Sequence, residues 1–257
     1  MHIRKIKSGD SLTLALTGVF FISMLYFIRD LREYHKGNEI YESAQEFVTE
    51  DISGTATEDY RIQIDFSSLK ELNKDIVGWI RIPGTTIDYP LVDSNDNSFY
   101  LNHSYDQQWS SYGSIFLEER NDADFSNQHI ILYGHNMKDN AMFGSLLDYK
   151  NQEYADNHQT VKITLPDEER TYRVFSVYTA HVDSPTYEIS EDPVAFKQKI
   201  DYMTANSIIQ LDAIPEAGEQ ILTLSTCIST GDQKYRFVVN GLLEKTESTV
   251  QRSFPEK

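Results

Sequence analysis

The chain has 257 residues, 40% of them hydrophobic and 25% charged, which is enough to bury one sizeable core and excludes disorder throughout. Its formal net charge of -17 at pH 7 repels phosphate backbones, so nucleic acid is not an expected partner. The single cysteine, Cys227, cannot close an internal disulfide and is therefore structural, intermolecular or reactive.

The first ten residues form a short basic tail, with Arg4, Lys5 and Lys7. Ser11 to Ile28 carry no charge, and as a helix they span about 27 Å, so residues 11–28 are expected to be an uncleaved transmembrane signal anchor. A cleaved signal peptide fits less well, because Arg29, Asp30, Leu31 and Arg32 follow where a small-x-small cleavage pattern belongs. The basic tail is expected to be cytoplasmic and the large acidic remainder extracellular, as a single-pass membrane protein.

Residues 29–65 read as a helical stalk and linker. Ile40, Ala44 and Phe47 follow helical spacing between Leu31 and Glu50, and Asp51 to Asp59 has linker composition. The folded domain is expected over 66–257. It opens with a short helix from Phe66 to Ile76, capped by Ser67 or Ser68, with Leu69, Leu72 and Ile76 on one side.

Eight strands are then predicted, at residues 77–82, 86–92, 113–117, 129–133, 160–165, 171–180, 220–226 and 235–243. That number with intervening turns predicts a mainly β fold, a closed barrel or sandwich. Pro193 to Ala205, with Val194, Phe196, Ile200 and Met203 at helical spacing, predicts a helix inserted between the sixth and seventh strands.

The chemistry gathers at the end of the seventh strand. Leu222 and Leu224 alternate with Thr223, Ser225 and Cys227, so the leucines point to the core and Cys227 to the opposite face. In the eighth strand Tyr235, Phe237, Val239 and Leu243 form the apolar face, leaving Arg236 on the other side with Asn240. A hairpin over the loop 228–234 makes Cys227 and Arg236 cross-strand neighbours, about 5 Å apart at Cβ.

A thiolate beside a guanidinium is suited to acyl transfer: the sulfur attacks, and the guanidinium donates to the oxygen that becomes negative. Arginine stays protonated, so a histidine must move the proton. Among seven histidines, His135 is favoured because it leaves the apolar strand His129 to Tyr133 through Gly134. His103 and His181 are weaker candidates, and His2 and His35 flank the N-terminal apolar run. No C-x-x-C or H-x-x-x-H spacing points to a metal. A lone cysteine is more often a buried small hydrophobe, and a strand arginine more often a solvated face.

The runs L-T-L-S-T-C (Leu222 to Cys227), K-Y-R-F-V-V and L-Y-G-H-N (Leu132 to Asn136) resemble the signatures of sortases, specifically class B. The likeness extends over about Phe66 to Leu243. It implies an eight-stranded sortase β-barrel with N-terminal helices, needing no cofactor, with Cys227 as nucleophile, His135 as general acid and base, and Arg236 as oxyanion stabiliser. It also implies that Asn97, Leu101, Ser225 and, by a looser match, Tyr187 line a sorting-signal groove.

The implied activity is transpeptidation at the outer face of a Gram-positive membrane. Surface proteins with a C-terminal N-P-x-T-N or P-x-T-G type motif would be cut after threonine and passed to a peptidoglycan amine. Pilin polymerisation through a lysine amine, a hydrolytic cysteine peptidase and a non-enzymatic β-barrel binding module are the alternatives. An added amine separates the transferase from the peptidase, and tolerance of Cys227→Ala separates the binding module from both.

Overall fold

The computed structural model describes residues 8–51, 61–190, 192–216, 218–228, 231 and 233–249. The first element is α1 (Ser8–Ala44), a 37-residue helix. Its second half carries a stripe of Gly37, Tyr41 and Ala44, three and four residues apart and all buried, with Tyr34 and Ile40 partly buried beside it.

The transmembrane helix expected over Ser11 to Ile28 is not supported. Among the described residues no helix is long and apolar enough to cross a membrane. The apolar run is only the first part of α1 and is diluted by Thr13, Thr17, Gly18, Ser23 and Tyr26, while the rest of the helix is charged and packs on the folded domain. The side chains of residues 11, 12, 14 and 15, at the start of that run, lie outside the described residues, as do residues 1–7 of the basic tail.

Helix α1 ends at Ala44, earlier than the spacing predicts. One 3-10 turn follows, and then β1 (Val48–Asp51) pairs antiparallel with β2 (Arg61–Ile64). This ribbon is not foreseen in the sequence, and residues 52–60, most of the expected linker, lie outside the described residues. Helix α2 (Phe66–Leu72) is capped by Asp65, whose carboxylate accepts from Ser68 N at 3.0 Å, rather than by a serine.

All eight predicted strands form. They are β3 (Ile76–Arg81), β4 (Asp88–Val92), β5 (Ile115–Leu117), β6 (His129–Tyr133), β7 (Thr160–Thr164), β8 (Glu168–His181), β9 (Ile221–Cys227) and β10 (Tyr235–Ser248). They close a barrel in the order β10-β8-β7-β3-β4-β5-β6-β9. β8 and β10 outrun their predicted limits because a polar ribbon, Glu168–Arg170 against Thr246–Ser248, continues the pairing without apolar alternation.

Helix α3 (Gln152–Asn157) and a 3-10 turn at Gly144–Lys150 fill the connection after β6, and α4 (Pro193–Ala205) occupies its predicted bounds between β8 and β9. α4 lays Phe196, Ile200 and Met203 on the outer face of the sheet against Phe175, Tyr178, Ile221, Val238 and Leu242, forming a second core outside the barrel. Strands β6 and β9 run parallel and are buried on both faces, which explains why His129 to Tyr133 reads as a nearly unbroken apolar run.

Candidate active site

One face of β9 serves two purposes. Leu222 and Leu224 point into the barrel core, as their alternation predicts. On the outer face Ile221 lies under α4, whereas Ser225 and Cys227, at the far end of the strand, reach a cavity of about 340 Å³. The face read as polar is thus partly a second core, and only its last residue, Cys227, is partly exposed.

The ladder between β9 and β10 sets Cys227 directly opposite Arg236, the predicted cross-strand pair. Both are half-buried. Arg236 Nη1 donates to Tyr235 O at 2.9 Å, which steadies the guanidinium at the rim.

His135 reaches the same cavity from β6. Because β6 and β9 are parallel, Tyr133 lies level with Ser225, and the chain leaving β6 stays stitched to β9. Gly134 N donates to Ser225 O at 3.2 Å, Thr226 Oγ1 donates to Gly134 O at 2.8 Å, and Asn136 Nδ2 donates to Cys227 O at 2.9 Å. A glycine is required at 134, since a Cβ there would come within 2.7 Å of the Phe143 ring. The Tyr-Gly-His-Asn run is therefore a tether that holds the histidine beside the cysteine strand.

The imidazole is oriented by the turn Phe99–Leu101: His135 Nε2 lies 2.7 Å from Leu101 O. A carbonyl only accepts, so Nε2 carries the proton and Nδ1 is the nitrogen left to exchange one. The other histidines have local roles. His103 stacks on Phe99 at 4.0 Å, His181 lies 3.6 Å from Asp183, and His129 is buried beneath α4. His35 pairs with Glu39 on α1, His158 Nδ1 lies 2.7 Å from Tyr154 O, and His2 lies outside the described residues.

Asn97, Leu101, Tyr187 and Ser225 all line the cavity with the Cys, His and Arg residues. Asn97 Oδ1 accepts from Glu119 N at 3.0 Å, and Tyr187 OH lies 2.9 Å from Ser225 Oγ. Burial pushes the Tyr187 phenol up to about 12, against the hydrogen bond to Ser225 and the charge of Arg236. Tyr187 stays a neutral donor at physiological pH.

Arg120, Tyr133 and Phe116 also line the cavity and are absent from the sequence reading. Arg120 Nε donates to the buried Glu118 carboxylate at 2.6 Å, and its Nη2 donates to Tyr187 O at 3.2 Å. Tyr133 OH donates to the other Glu118 oxygen at 2.7 Å. Burial alone would raise the Glu118 carboxyl, but the bonds from Arg120 and Tyr133 outweigh it and hold the group below its ordinary value. The available signal was weak: Tyr133 belongs to the Tyr-Gly-His-Asn run, and Glu118 and Arg120 follow β5, but nothing in their spacing says that they meet Tyr187 across the groove.

The sequence profile of the family described as Sortase domain matches residues 80–244, from β3 to β10. The chain belongs to the sortase family, in its class B. Sortase B of Listeria monocytogenes is 33% identical over 243 residues, covering 93% of this chain and 98% of the relative. Sortase B from B. anthracis, solved in complex with AAEK2, superposes with a TM-score of 0.70 at 32% identity, covering 82% of this sortase and 97% of that chain. The Staphylococcus aureus sortase B-substrate complex gives 0.66 at 33% identity, covering 70% and 84%. This sortase is accordingly one of a family of cysteine transpeptidases.

Proposed function

We propose that this sortase cuts a C-terminal sorting motif of the N-P-x-T-N or P-x-T-G type after threonine, holds the protein as a thioacyl on Cys227 and transfers it to a peptidoglycan amine. The observation that carries the reading is the cross-strand pair Cys227 and Arg236 on one wall of a cavity that also takes in His135. The Cys227 thiolate attacks the threonine carbonyl carbon, and Arg236 donates to the oxygen as it becomes negative. His135 Nδ1, which takes the Cys227 thiol proton as the thiolate forms, gives that proton to the departing amine, the C–N bond breaks and the thioester remains. An incoming amine then attacks the thioester, His135 takes its proton, and the thiolate leaves.

The aromatic wall supports an extended peptide as the donor. Tyr133 and Tyr187 lie nearly parallel with ring centres 6.5 Å apart, and Phe116 is 5.4 Å from Tyr133. Such surfaces hold a proline-containing strand, while Asn97 and Ser225 offer polar partners to its flanking residues. A cell-wall acceptor places the working domain outside the cytoplasmic membrane, where a solitary thiol does not risk an incorrect internal disulfide.

The test is partitioning of the acyl-enzyme. With peptides carrying each motif, rising triglycine should convert hydrolysed product to ligated product, and a lysine-containing pilin peptide should compete poorly. Product ratios unmoved by either amine would mark a hydrolase instead, and preference for the lysine would mark pilus assembly.

A further inference from the structure

We propose that Tyr41, on the N-terminal helix, is a positioning residue for His135, acting through the backbone at Gly113 and Ser114 and the carbonyl of Leu101. The proposal rests on the reading of His135 as the general acid and base. Tyr41 is 6% exposed on the α1 face that packs on the barrel, edge-on to Tyr89 with ring centres 5.3 Å apart and tilted against Tyr105 at 5.7 Å. A phenylalanine would satisfy those contacts. The hydroxyl does something else: it donates to Gly113 O and lies 3.3 Å from Ser114 Oγ.

Those two residues support the turn that orients the imidazole. Ser114 N donates to Tyr100 O at 2.9 Å, and Ser114 Oγ donates to His103 O at 2.9 Å, so the segment is fixed to both sides of Leu101. Gly113 has φ +58, and a Cβ on it would lie 2.5 Å from Tyr100 O, 2.8 Å from Leu101 O and 3.1 Å from His135 Cδ2. The glycine backbone is therefore flush against the carbonyl that receives His135 Nε2 and against the ring itself.

Three consecutive links join α1 to the proton carrier: the phenol to Gly113 O and Ser114 Oγ, Ser114 N to Tyr100 O in the turn, and Leu101 O of that turn to Nε2. Burial keeps the Tyr41 phenol far above its ordinary value near 10, so it stays a donor at any working pH. Without it the buried Gly113 carbonyl loses its partner, the segment relaxes, and the imidazole no longer has one preferred tautomer.

The experiment uses the full chain with Tyr41→Phe, read in two ways. Peptide cleavage should lose about tenfold in kcat while KM stays within about twofold, since the contact acts on proton transfer and not on peptide binding. The ¹⁵N signals of His135, assigned by their loss in His135→Gln, should change from a single Nε2–H tautomer to a mixture. If melting temperature falls while kcat and the imidazole signals match wild type, Tyr41 is only structural and the proposal is overturned.

Should the phenylalanine variant fail to fold, Ser114→Ala removes the hydroxyl between Tyr41 and His103, and the imidazole spectrum decides in the same way. The spectrum also separates this proposal from the transpeptidase reading. A wild-type chain inert toward every peptide and amine would count against that reading, and the tautomer change would still be measurable.

Discussion

Arg236 faces Cys227 across the β9–β10 ladder and lines the same cavity, and in the proposed reaction its planar fork donates to the oxygen that becomes negative. A lysine there would keep the charge but present it as a point on a flexible stem, without the fixed geometry that a carbonyl oxygen needs. Arg236→Lys should therefore lower kcat/KM by about two orders of magnitude, the usual loss for one oxyanion donor. Steady-state kinetics on a sorting peptide check this, and a lysine variant near wild-type rate contradicts it. The pair could be read from the sequence because strand alternation fixes a side chain's face and a short hairpin fixes its partner. Arg120 could not, because its place depends on Glu118 at the end of β5 and on Tyr187 in the insertion after β8, which meet only once the barrel has closed.

At the scale of elements, α4 is tied to the strands that carry the site by a buried polar chain. Lys199 Nζ lies 3.1 Å from His129 Nδ1, His129 Nε2 lies 2.9 Å from Thr223 Oγ1, Thr223 donates to Asn240 at 2.7 Å, and Asn240 donates to Ser176. Thr223 has one proton and gives it to Asn240, so it accepts from His129, whose Nδ1 in turn accepts from lysine. Burial, reinforced by the Lys199 charge, holds His129 well below its ordinary 6.5, and burial lowers Lys199 from 10.5 to about 8 despite the charge of Glu188. From pH 8 to 10 the folded state has released a proton that the unfolded lysine still holds. Stability then rises with pH through this group, by up to about 1.4 kcal/mol per unit. Urea unfolding at pH 7.5 and 9.5 should show that gain in wild type and not in Lys199→Met; parallel behaviour of the two contradicts it. The bounds of α4 were readable from a proline start and four spaced apolar residues. The β1–β2 ribbon was not, since β1 (Val-Thr-Glu-Asp) has no apolar alternation and the alternation of β2 (Arg-Ile-Gln-Ile) is only four residues long.

Across the whole molecule, a closed barrel supplies rigidity, while the proposed catalytic groups sit at the ends of the parallel strands β6 and β9 and the start of β10. The N-terminal helix is part of that frame through Tyr41 and Ala44, although its apolar first part reads in the sequence as a membrane span. Composition over eighteen residues says nothing of a helix that continues into a charged half and docks. In the proposed reaction Cys227 carries the acyl group between donor and amine. Intact-mass spectrometry after mixing the protein with a sorting peptide, before any amine is added, tests it most directly. The expected result is a mass increase equal to the peptide up to its threonine, located on Cys227 by digestion, absent in Cys227→Ala and discharged by triglycine with ligated peptide appearing. Peptide cleavage that continues in Cys227→Ala, or that leaves no adduct even when quenched on the time scale of turnover, would contradict it.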